Sequence, residues 1–124
     1  MHCNSGYPTP IDHCNLSAIK TIRDNFNCNV GWSDHSVNPV VISHAISKWG
    51  AKSIEFHLDI EGEGEEFKTG HCWLPNEIKK VIDATKNLQI IDGSGIKKPS
   101  ESEKIDRDWR ADPEDGLRPL KFMR

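Results

Sequence analysis

Ser33, Asp34 and His35 place a hydroxyl, a carboxylate and an imidazole in consecutive positions, within Gly31-Trp32-Ser33-Asp34-His35. These are the groups of a nucleophilic hydrolase, but adjacent strand residues point to opposite faces and a triad needs convergent side chains. The relation to His57 says more. That second histidine lies near the end of the strand-like stretch Ala51-Lys52-Ser53-Ile54-Glu55-Phe56-His57-Leu58. If the two strands are neighbours, their backbones lie ~5 Å apart, and imidazoles at matching heights can converge on one cation. Imidazole nitrogens with coordination positions left open suit Mn²⁺, Fe²⁺, Co²⁺ or Zn²⁺, ions that polarise a carbonyl. The plainer alternative has His35 capping a turn and His57 closing its strand.

Two other groupings carry less chemistry. His2-Cys3, His13-Cys14 and His71-Cys72 repeat one dipeptide, but adjacent residues do not converge easily on one ion and the spacings match no compact zinc module. Glu61, Glu63, Glu65 and Glu66 lack the alternating Asp/Asn pattern of a calcium loop and read as a solvated acidic loop.

The elements that must position these groups follow from periodicity. Asn15 is an N-cap type, and Leu16, Ile19, Ile22 and Phe26 recur at helical spacing until Asn27 to Asn29 break it. Val30 to Ser33 reads as a short strand. Asn38-Pro39 then opens a second helix carrying Val41, Ile42, Ala45, Ile46 and Trp49, with Gly50 as its stop. After the strand 51–58 and the acidic loop, Pro75 opens a third helix with Ile78, Val81, Ile82, Thr85 and Leu88 on one face. Strand end, helix, strand, helix, strand, helix is the order of three βα units around a parallel sheet. In such folds ligands meet the carboxyl ends of the strands, where Ser5 to Tyr7, Ser33 to His35, and His57 all fall.

A chain of 124 residues makes one small domain. Residues 1–92 carry the periodic pattern, while 93–124 are polar and proline-spaced, a linker or tail that packs in patches. A net charge of −3 from mixed acidic and basic residues offers no phosphate-backbone surface, so nucleic acid is not an expected partner. No apolar run reaches the ~18 residues of a membrane span. Four cysteines without a CxxC pair, and no signal-peptide pattern, point to a reducing, cytoplasmic compartment.

The segments HCNSGYPTP, GWSDHS, AKSIEFH and GSGIKKPSESEK, in this order and at these separations, resemble the sialic acid synthase (N-acetylneuraminate synthase) family over roughly residues 1 to 104. The resemblance implies a TIM (β/α)₈ barrel followed by a small antifreeze-like domain. It also implies a transferase of sialic acid biosynthesis that condenses phosphoenolpyruvate with an N-acetylated amino-sugar aldehyde, N-acetylmannosamine or similar, using Mn²⁺ or another divalent metal. His35 and His57 match the family's metal-binding histidines. Ser33 matches a phosphate-contacting serine, Ser5 falls at another phosphate contact, and Tyr7 matches a tyrosine lining the substrate site, which with His35 and His57 makes the catalytic set. One departure stands out. Where the family commonly has Gly-Pro-Asp, whose aspartate contacts the sugar, this sequence has Phe67-Lys68, leaving Glu65, Glu66 or His71 as substitutes.

The chain is therefore expected to be the last three βα units of an incomplete barrel, since a whole barrel needs roughly 250 residues. A truncated product or the later part of a split gene is the expected origin. The family's phosphoenolpyruvate lysines and catalytic glutamate lie on earlier strands, so catalysis by this chain alone is not expected. Full-length family members imply a homodimer, and a companion chain here. The competing expectation is a non-catalytic α/β fragment that packs against a partner chain.

Overall fold

The computed structural model describes residues 1–104 and 106–124. The chain falls into two compact units, Met1–Asp92 and Gly93–Arg124. The first alternates strands and helices: β1 (His2–Cys3), α1 (Ala18–Phe26), β2 (Trp32–Asp34), α2 (Pro39–Ser47), β3 (Ile54–Leu58), α3 (Glu65–Lys68), β4 (Cys72–Trp73), α4 (Pro75–Lys86) and α5 (Leu88–Asp92). The strands form one four-stranded sheet in the order β1-β2-β3-β4, every neighbouring pair parallel. Ser33 lies opposite Glu55, and His57 opposite Cys72.

The helices pack on one face of this sheet. Trp32 sits with Ile19, Leu16, Val41 and Ala45 in one apolar cluster, and Trp73 with Ile42, Ile78 and Val81 in a second. Ile54 packs against both clusters. The period of two along each strand turns Ser33, Glu55 and His57 to the other face. Between β1 and β3 the strand β2 is approached closely: a Cβ on Gly31 would lie 2.7 Å from the carbonyl oxygen of Ser53 and 2.2 Å from its Oγ.

The second helix forms as its sequence dictates. Asn38 accepts a hydrogen bond from the Val40 amide at 2.9 Å, proline occupies the first turn, and Val41, Ile42 and Ala45 are buried. Gly50, at φ +71°, ends the segment in the left-handed region.

Four expectations are corrected. The sheet has a fourth strand, β4, too short for a period of two to register. Helix α1 starts at Ala18 after Ser17, so the expected N-cap Asn15 instead takes φ 45° in the preceding turn, and Phe26 is 73% exposed although it lies on the apolar spacing. The acidic stretch is not all loop, because Glu65–Lys68 closes a helical turn. The third helix ends at Lys86, and Leu88 begins a separate short helix.

In the second unit, α6 (Glu101–Lys104) and single turns at Arg107–Trp109 and Lys121–Met123 are ordered by local hydrogen bonds. Buried Asp112 accepts from the amides of Glu114 and Lys121. Among the described residues no helix is long and apolar enough to cross a membrane.

Candidate metal centre

The carboxyl ends of β1 to β3 and the segment leading into β4 bring four rings together. The ring centroids of His35 and His57 lie 5.1 Å apart, those of His57 and His71 5.1 Å apart, and Tyr7 lies 4.2 Å from His35 and 5.0 Å from His71. His35 follows β2 directly, His57 is in β3, and His71 immediately precedes β4. Parallel pairing places these successive strand ends side by side.

Each imidazole is oriented by a hydrogen bond at Nδ1. His35 Nδ1 donates to the Asn4 carbonyl at 2.8 Å, and the Thr9 amide returns a bond to the His35 carbonyl at 2.9 Å. His57 Nδ1 donates to Glu66 Oε2 at 3.0 Å. The Thr69 hydroxyl gives its proton to the Glu66 carbonyl, so its oxygen accepts from His71 Nδ1 at 2.9 Å. A neutral imidazole protonated at Nδ1 keeps its lone pair on Nε2, the form a metal takes. His35 and His57 therefore each keep an Nε2 lone pair available to a divalent cation.

The loop after β3 is built around Asp59. Its carboxylate accepts from the amides of Glu61, Gly62 and Gly64, at 3.0, 2.6 and 3.0 Å. These bonds, that from Gly62 foremost, hold its carboxyl below the ordinary value of 3.8. Gly64 has no room for a side chain, because a Cβ there would stand 2.2 Å from Asp59 Oδ2. Glu66 is carried back over the strand ends by this turn. The hydrogen bond from His57 is the chief reason that its carboxyl lies below 4.5, with the electrostatic influence of the nearby His57 and His71 rings adding. Burial pushes the Cys72 thiol above its ordinary 9.0, reinforced by the charges of Glu66 and Asp59.

Ser33, Asp34 and His35 point three ways. The Ser33 hydroxyl donates to Glu55 Oε1 at 2.7 Å. Asp34, 0% exposed, accepts from the indole nitrogens of Trp32 at 3.1 Å and Trp73 at 3.3 Å, and from the amide and hydroxyl of Ser36. No hydrolase triad exists here; the carboxylate ties β2 to β4 behind β3.

Tyr7, His35 and His57 thus meet in one place, Ser33 lies two residues before His35 with its hydroxyl already engaged, and exposed Ser5 takes no part in the ring cluster among the described residues. Of the substitutes named for the missing aspartate, Glu66 and His71 reach the cluster, whereas Glu65 pairs with Lys68. His71 and Cys72, read as too close in sequence to converge, do so: with His57 and Glu66 their ligand atoms lie within 4.8 Å of one another. The signal that could have found them is the buried run His71-Cys72-Trp73 directly before a proline-opened helix, the form of a short parallel strand.

A profile described as the NeuB family matches residues 1–97. The chain is 37% identical over 105 residues to an N,N'-diacetyllegionaminic acid synthase of Campylobacter jejuni, covering 83% of this chain and 30% of that protein. An N-acetylneuraminate-9-phosphate synthase of Drosophila melanogaster is 34% identical over 92 residues, 73% of this chain and 24% of that protein. The crystal structure of an N-acetylneuraminic acid synthetase from Leptospira borgpetersenii, in complex with citrate, superposes with a TM-score of 0.63 at 31% identity, covering 84% of this chain and 36% of that one. The chain thus spans about a third or less of the length of these relatives. With the match extending over the whole strand-and-helix unit that carries the histidines, this chain belongs to the NeuB family.

Proposed function

We propose that this chain is the metal-bearing end of a (β/α)₈ barrel in a synthase that condenses phosphoenolpyruvate with an N-acetylated amino-sugar aldehyde. The observation that carries the reading is the pair His35 and His57, 5.1 Å apart on adjacent strands, each with Nδ1 bound to oxygen and Nε2 left for a cation. The sheet agrees with a barrel segment, since helices cover one face, polar groups line the other, and β1 and β4 each pair on one side only.

Mn²⁺ held by His35 and His57 would supply Lewis acidity toward the aldehyde carbonyl. The Asn4 carbonyl and Glu66 keep the two imidazoles in the tautomer that binds it. Tyr7, stacked on His35, walls the site on the β1 side. Ser5 and Ser33 are assigned to the phosphate, Ser33 by turning toward it the hydroxyl that Glu55 now accepts. Glu66 and His71, which reach the ring cluster, are assigned to the sugar's polar groups.

A Mn²⁺ titration followed by electron paramagnetic resonance tests the assignment: weak binding is expected, lost in His35→Ala and in His57→Ala. Unchanged binding in both variants removes it. The open edges of β1 and β4 favour a second reading, a non-catalytic segment that packs against a partner chain supplying further strands. Phosphate release by the purified chain from phosphoenolpyruvate, Mn²⁺ and N-acetylmannosamine would sink that second reading.

A further inference from the structure

We propose that His57, Glu66, His71 and Cys72 form a binding site for a zinc-like divalent cation, built from donor atoms other than the Nε2 pair of His35 and His57. Three contacts converge on Glu66 Oε2: His57 Nδ1 at 3.0 Å, His71 Nε2 at 3.8 Å and Cys72 Sγ at 3.9 Å. In a tetrahedral zinc site with metal–nitrogen distances near 2.0 Å and metal–sulfur near 2.3 Å, neighbouring donors are separated by about 3.3 to 3.6 Å. The four atoms, all within 4.8 Å of one another, need only small side-chain movements to reach that geometry.

The scaffold holds the donors in place. Cys72 lies opposite His57 in the β3–β4 register, so both side chains leave the same face of the sheet. His71 is fixed by Thr69, and its Nε2 faces the carboxylate. His71 and Cys72 are buried while Glu66 is exposed, so an ion enters from the carboxylate side. Two neutral imidazoles, a thiolate and a carboxylate neutralise a doubly charged cation. Sulfur among the donors selects zinc or cobalt over manganese.

Binding moves two protons. The Cys72 thiol releases one to solvent, and the His57 proton passes from Nδ1 to Nε2 as Nδ1 takes the metal. One neutral imidazole offers one lone pair, so His57 serves either this ion or the His35 partner site, never both. The site itself stands whether or not the synthase reading holds.

Cobalt is the probe, because a thiolate ligand gives Co²⁺ an intense near-ultraviolet charge-transfer band. The full chain titrated with Co²⁺ is expected to develop that band, and one equivalent of Zn²⁺ to abolish it. Cys72→Ser loses the band while retaining its far-ultraviolet circular dichroism, and His71→Ala weakens Zn²⁺ binding at least about tenfold. His35→Ala and Cys28→Ser keep the band. No band in the unsubstituted chain overturns the site without reliance on any variant. A band that survives Cys72→Ser, or that disappears in His35→Ala, overturns it equally.

Discussion

Asp34 is the carboxylate whose removal the structure prices most clearly. It is fully buried, and its Oδ1 accepts from the Trp32 indole and from the amide and hydroxyl of Ser36, while Oδ2 accepts from the Trp73 indole. Asp34→Ala leaves two indole N–H groups without acceptors in a region closed to water. At about 1–3 kcal/mol for each stranded buried donor, the loss is about 2–6 kcal/mol, a large share of the ~5–15 kcal/mol that holds a domain together. Asp34→Asn can keep an oxygen at the Oδ1 position, where three donors converge. It then turns an NH₂ toward Trp73, loses one acceptor, and is expected to cost about 1–3 kcal/mol. Urea denaturation followed by far-ultraviolet circular dichroism measures both. Adding Trp73→Phe to Asp34→Ala should recover part of the loss, because the stranded donor is gone. An Asp34→Ala midpoint within ~0.5 kcal/mol of the unsubstituted chain, or an asparagine variant as unstable as the alanine one, refutes the reasoning. The consequence reaches the proposed metal centre, since this carboxylate ties β4, and with it His71, to β2.

Two further outcomes follow. Gly31→Ala sets a methyl 2.7 Å from the backbone oxygen of Ser53, which cannot swing aside as its Oγ can, and should destabilise by about 1–3 kcal/mol in the same denaturation assay; a neutral result would show that β2 and β3 separate freely. The Asp59 carboxyl titrates below its unfolded value of 3.8, so its contribution is complete above that value and is lost as pH falls through the lower, folded one. Protection of the Gly62 and Gly64 amides from hydrogen exchange, relative to the intrinsic rate at each pH, should therefore fall only on acidification below 3.8, and loosening that begins near neutral pH would contradict the assigned cause.

Much of the fold was legible where local chemistry and packing agree. Asn38-Pro39 followed by Val41, Ile42 and Ala45 carries a cap, a first-turn proline and an apolar stripe, and α2 forms there. The neighbouring placement of His35 and His57 followed from two strand ends separated by one helix. What escaped was short or long-range. Two-residue β4 has no period to read, and its partners are set by tertiary pairing with β3. Glu66 and His71 reach His57 only because Asp59 folds the intervening glycines into a turn. Phe26 lies on the spacing of a buried stripe, yet as the last residue of α1 it is exposed, and only Ile19 of that helix is buried.

Many hydrogen bonds of residues 59–69 close within the segment, Asp59 to Glu61, Gly62 and Gly64, Lys68 to Gly64, Thr69 to Glu66, while Asp59, Glu66 and Thr69 also reach Trp73, His57 and His71. The anchors of His35, the Asn4 carbonyl and the Thr9 amide, belong to the opposite wall. This loop is therefore an exchangeable cassette: a replacement of different length or charge, joined at Asp59 and at β4, would redraw one side of the pocket and leave the grip on His35 and Tyr7 as it was.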